Sequence, residues 1–177
     1  MRCVAELRKR PIASRGSRIT IERLQRMPDL SRVEAEPLIA LKKILRGDIE
    51  LKARKNHAGY LQAILRPEDD LGATVPGMTI EVETKAPLLV DACRTTATLF
   101  VLRQGVKWRV HQIEVQPPHK RTHNGVGGAL YGPHEHRGDA TLPLEDVTLS
   151  CQTPLDEFFA VFCERSNISF DGSIYIS

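Results

Sequence analysis

No apolar run in this chain approaches the roughly 18–20 residues needed to cross a bilayer as a helix, so a helical membrane span is excluded. The first residues contain no apolar h-region, and no secretory signal is expected. The four cysteines, Cys3, Cys93, Cys151 and Cys163, form no Cys-x-x-Cys pair, which excludes zinc-finger and thioredoxin-type motifs. Buried free thiols in a reducing cytoplasm are the expectation for them. There are no internal repeats and no low-complexity tract. A formal charge of only +3, with 41% hydrophobic and 27% charged residues, excludes a disordered polyelectrolyte. The 177 residues make room for one domain, or one domain with an arm.

The small net charge hides an uneven distribution. Residues 1–32 hold nine Arg or Lys against three acids, and the remainder of the chain carries a net −3. Residues 1–30 therefore read as a basic N-terminal arm suited to neutralising phosphates, ahead of a single domain over 31–177. A solvated extension, or a start at Met27, are the competing readings of the same segment.

Ser31 and Glu34 have capping-box spacing, and Val33, Leu38, Leu41 and Leu45 follow at helical intervals. The helix is expected to restart around Pro37 and to stop near Gly47. Strand alternation then takes over. Leu61, Ala63 and Leu65 share one parity, as do Met78, Ile80 and Val82. The apolar run 97–102 reads as a central strand, and Gln104-Gly105 as the turn into the strand 107–115. In that strand the apolar parity shifts, which places a bulge near His111-Gln112. Thr153 is expected to cap, and Pro154 to open, a C-terminal helix with a Leu155, Phe158, Phe159 and Phe162 stripe. Ser166-Asn167 ends it, and two short strands around Asp171-Gly172 suggest a hairpin.

Residues 117–139 form a break of 23 residues holding five glycines and four of the six histidines. Such long loops are usually functional or disordered. In extended backbone His134 and His136 project together, with Glu135 opposite. Two chemistries suit this set. As acid/base groups, His134, His136 and His119 would move protons while Lys120, Arg121 and Arg137 hold a phosphodiester. No cofactor is then required. Alternatively His134 and His136 would bind one divalent transition metal, with His123 and Asp139 completing the shell. Gly128 followed at His134-Glu135-His136 imitates half of a cupin metal motif, but no histidine follows His136 to supply the other half. His57 reads as a turn residue and His111 as a satisfied sheet histidine.

The capped segment Glu34–Lys42, Pro118-His119 with nearby Asn124-Gly125, Pro133-His134-Glu135-His136, Leu142-Pro143-Leu144 and the helix ending near Asn167 together resemble an uncharacterised family of small bacterial mobile-element proteins. Similar Pro-His-x-His strands occur in toxins of toxin–antitoxin systems. The resemblance spans about residues 30–170. It implies a site at Pro-His-x-His and leaves the reaction open.

The expected molecule is an α+β protein. A curved antiparallel sheet packs on a C-terminal helix, and an N-terminal helix and basic arm precede it. The expected function is a toxin-like or defence-associated cytoplasmic protein acting on RNA, as a metal-independent ribonuclease. The alternatives are a non-enzymatic mobile-element protein that binds or inhibits a partner, such as an antitoxin or a host complex, and a His-ligated metal-dependent hydrolase. The expected partners are RNA or another nucleic acid, or such a protein, with no membrane.

Overall fold

The computed structural model describes residues 28–85, 92–125, 128–144 and 147–176. Residues 1–27 of the basic arm, with Cys3 and Met27, lie outside the described residues. The elements run α1 (Arg32–Ala40), β1 (Lys43–Arg46), β2 (Ile49–Ala53), β3 (Tyr60–Leu65), β4 (Met78–Lys85), β5 (Thr95–Arg103) and β6 (Val106–Val115). They continue with β7 (Arg121–Gly125), β8 (Gly128–Tyr131), β9 (His134–Arg137), β10 (Ala140–Pro143), α2 (Leu155–Arg165), β11 (Ile168–Asp171) and β12 (Ile174–Ile176). The class is α+β, as expected.

α1 starts where its capping box dictates. Ser31 Oγ accepts from the Glu34 N–H at 3.4 Å, and Glu34 Oε2 accepts from the Ser31 N–H at 3.2 Å. The helix ends at Ala40, earlier than the apolar spacing suggests, and Leu45 lies on β1 instead. Pro37 sits inside the helix rather than restarting it. The donor it lacks would have served Val33, a residue 83% exposed, where water can take its place. Lys43 closes the other end. Its fully buried ammonium donates to the carbonyls of Leu38, Ile39 and Leu41, so all three of its donors meet the orphan acceptors of the last turn. Burial pulls this lysine down to about 8.

The main sheet has eight strands in the order β10-β9-β6-β5-β4-β3-β2-β12, antiparallel at every pairing except β12 with β2. β4 alternates strictly, burying Met78, Ile80, Val82 and Thr84. β5 is buried on both faces from Thr96 to Val101, as a central strand should be. Gln104 and Gly105 both take positive φ, at 51° and 76°, the conformation that a two-residue hairpin with native twist requires. The bulge falls at Val110, one residue from its expected place. Leu99 faces His111 and Phe100 faces Arg109, leaving Val110 extra.

α2 lays Phe158, Phe159 and Phe162 on the inner face of the sheet, among Ile80, Val82, Ala97, Leu99 and Ile113. Its cap differs from the expectation. Pro154 is the N-cap residue, and the Thr153 hydroxyl accepts from the Ser150 N–H at 2.9 Å instead.

Two further expectations are corrected. β11 and β12 do not pair with each other; β11 runs parallel to β1 and β12 parallel to β2. The corner at Gly172 nests in the corner at Gly47, so closely that a Cβ on Gly172 would lie 2.2 Å from the Gly47 carbonyl oxygen. Asp48 Oδ1 fastens the two corners by accepting from Ser173 N and Oγ at 2.9 and 2.6 Å. Cys93 and Cys151 are not free thiols but a disulfide, with Cα atoms 5.7 Å apart and a sequence separation of 58. Nothing in their spacing marks the pair, because the fold alone brings them together. Cys163 is free and buried as expected, and burial pushes its thiol up to about 12. No helix among the described residues is long and apolar enough to cross a membrane.

Candidate metal centre

The segment read as a loop is mostly strand. β7 and β8 pair as a separate two-stranded hairpin, and β9 joins the main sheet between β6 and β10. Its residues therefore alternate between the two faces of that sheet.

The inner face of β9 carries Glu135 and Arg137. Glu135 accepts from His111 Nε2 at 2.8 Å, Arg137 Nη1 at 3.0 Å and Arg165 Nη1 at 2.6 Å. His111 stacks on Phe162 and meets the Ser166 hydroxyl through Nδ1 at 2.7 Å. A neutral ring donating from Nε2 to the carboxylate accepts the hydroxyl at Nδ1. Burial alone would raise the Glu135 carboxyl, but its bonds to His111 and Arg137 and the charge of Arg165 hold it down near 2. Burial likewise lowers His111, more than Glu135 raises it. Arg137 is occupied by Glu36 of α1 through Nε and Nη2. This is a closed network in which each charged group meets an opposite charge.

The outer face carries His134 and His136, both essentially unexposed. His123, on β7, joins them from the hairpin. The three rings stand edge to face, with centroids 4.7–5.0 Å apart. Each contributes one nitrogen to a set lying within 4.8 Å. His134 Nδ1 donates to the Gly132 carbonyl at 3.0 Å, which fixes the tautomer and leaves Nε2 facing His123 Nε2 at 3.1 Å. His136 is held in the same manner, by Thr141 Oγ1 at Nδ1, 3.2 Å away. Its Nε2 is buried without a hydrogen-bond partner among the described residues. Burial first, then the positive charge of Arg109 and the neighbouring imidazoles, lowers His136 to about 2, so the ring is neutral at physiological pH.

Of the expected site residues, the fold brings together His123, His134 and His136. Asp139 is not a fourth ligand: its Oδ1 accepts from the Arg32 N–H at 2.9 Å, capping α1. Arg137 is turned to the opposite face and cannot grip a phosphate at the cluster. His119 stands exposed in the turn before β7, outside the converging set. Lys120 and Arg121 are likewise exposed, outside the converging set.

Sequence reading missed three residues of β6 and its neighbour. Glu114 lies directly opposite His134 in the β6–β9 register. Its Oε1 accepts from Arg94 Nε at 3.1 Å and from Gln116 Nε2, and its Oε2 is 3.9 Å from His134 Nε2. The signal was available. Gln112, Glu114 and Gln116 form a polar row of period two in a strand whose other parity is His111, Ile113 and Val115. All three are buried.

Searches of family models, of curated proteins and of solved structures found no match to this chain.

Proposed function

We propose that the protein is a metalloprotein of the hydrolytic kind, in which His123, His134 and His136 hold one divalent transition metal. The observation that carries this reading is the convergence of three imidazoles, two of them with Nδ1 bonded to an oxygen behind the ring. That outer bond is the usual means of aiming a ligating Nε2. Zinc–nitrogen bonds of about 2.0–2.1 Å in tetrahedral geometry put the ligating nitrogens about 3.3 Å apart. The nitrogens found within 4.8 Å need only a small closure to meet that spacing. Three nitrogen ligands leave a fourth position for a water molecule, the donor set of metal-assisted hydrolysis.

The metal-free ribonuclease reading has less support. It needs cations at the histidines, and Arg137 is committed to Glu36 and Glu135. The mobile-element and toxin resemblance contributes the position of the site, Pro133–His136, and leaves the substrate open.

Metal analysis of protein purified without a His-tag tests the reading. Stoichiometric zinc, nickel or manganese is expected, and it is lost in His134→Ala and His136→Ala. Protein that stays metal-free after incubation with each ion overturns it. RNA cleavage that persists in chelator and disappears in His134→Ala would restore the ribonuclease.

A further inference from the structure

The metal reading leaves one strongly placed group unused, the Glu114 carboxylate. We infer that Glu114 is the positioning residue of the open coordination site: it accepts a hydrogen bond from the water there and disfavours anions in its place. The inference rests on the three-histidine reading.

Placement comes first. Glu114 is carried by a central strand and sits opposite His134, so the backbone ladder delivers it to the cluster. Its side chain is 8% exposed. One oxygen is committed: Arg94 Nε and Gln116 Nε2 both reach Oε1, which fixes the plane of the carboxylate. The other oxygen is aimed at the histidines. At 3.9 Å from His134 Nε2, it is too far for a hydrogen bond and at a span that a water-sized bridge fills. The convergent set consists of the three imidazoles, without Glu114. The carboxylate therefore stands outside the convergent set with one oxygen beside it, where an acceptor can reach a water held by the three histidines.

Gln116 adds a second acceptor. Its amide N–H is used by Glu114, and its Oε1 is buried without a partner among the described residues. An amide turned the other way would set two acceptors against each other, so the orientation follows from Glu114. Gln116 follows the end of β6 two residues after Glu114, so it shares Glu114's parity and holds the Glu114 carboxylate in place. The ligand class that suits a carboxylate oxygen at this position is neutral and donor-bearing: water, and then the hydroxyl or amide N–H of a substrate.

The test uses the full chain loaded with cobalt(II), whose visible spectrum reports the coordination sphere, and azide as the anionic probe. Glu114→Gln keeps the shape and removes the charge. The expected result is full cobalt occupancy and azide affinity raised at least about tenfold, because one unit charge near the anion has gone. A carboxylate that only held Arg94 and faced away from the open position would move that affinity far less. Azide binding within about twofold of wild type overturns the inference, the expected charge effect being well above that. Loss of cobalt in Glu114→Gln alone also overturns it, by making Glu114 a ligand, while leaving the metal centre standing. Absence of cobalt from the wild type removes both. A crystal structure of the zinc-loaded wild type gives an answer independent of any variant. A metal-bound water within hydrogen-bond distance of Glu114 Oε2 is expected; a carboxylate bound directly to zinc, or turned away from it, overturns the inference.

Discussion

Two faces of one four-residue strand carry opposite kinds of polar cluster. On the inner side of β9, Glu135 meets two arginines and a histidine, and its partners are tied in turn to Glu36 and Ser166. On the outer side, His134 and His136 are equally buried, yet His136 Nε2 has no partner among the described residues and the His134 and His123 nitrogens face each other. Burial is the same and satisfaction is not. A closed network locks β9 to β6, α1 and α2. A buried ring nitrogen without a partner, as in His136, is a place where something else binds.

The sharpest way to break this contrast is to remove the inner carboxylate. Glu135→Ala strands Arg165 and His111 without their shared anion, and the expected loss is about 3–5 kcal/mol in urea unfolding. Acid makes the same comparison without mutation. The Glu135 carboxyl sits near 2 in the fold against its usual 4.5, so its stabilisation is present above about 4.5 and is lost as pH falls toward 2. The depressed His111 acts in the same direction once pH drops below its usual 6.5. Unfolding at pH 6 and pH 3 should differ by about 2 kcal/mol or more through Glu135 alone, and His136→Ala should narrow the total difference, because that buried ring, lowered to about 2, stays neutral in the fold and becomes charged in the unfolded chain.

The outer face responds to metal as well as to acid. Zinc at a hundredfold excess over its dissociation constant should stabilise the wild type by about 2.7 kcal/mol. His123→Ala, His134→Ala and His136→Ala should abolish that gain, read as the shift in melting temperature. The smallest effect should be His136→Ala in chelator, about 2 kcal/mol, since the buried ring leaves a cavity but its inward nitrogen gives up no bond. A large loss there would make the outer cluster structural and erase the contrast.

Much of the frame was legible because local chemistry sets it. Ser31 and Glu34 cap a helix wherever they stand, and the parity of Met78, Ile80 and Val82 defines a face. Period two also brought His134 and His136 together on paper. What escaped depends on contacts distant in sequence. Gly125, Gly128 and Gly132 read as loop residues, yet they bound a hairpin that brings His123 to the other two histidines. Cys93 meets Cys151 across a sequence separation of 58, which no local pattern announces. Asp139 looked like a ligand by proximity to the histidines, whereas α1 arrives from the far end of the chain to use it as a cap. Glu114 was overlooked because a single acid in an apolar strand gives no motif until its neighbour across the ladder is known.

The nested corners at Gly47 and Gly172 bear on the order of assembly. Asp48 and Ser173 lie 125 residues apart in the chain, whereas the hairpin between β5 and β6 closes over a two-residue turn. Contacts of such long range pay their loop-closure entropy last. In pulsed hydrogen exchange during refolding, the amides of Ile49 and Gly47 should gain protection after those of β5 and β6. The parallel ribbon is thus the clasp that shuts once the rest of the molecule has taken shape.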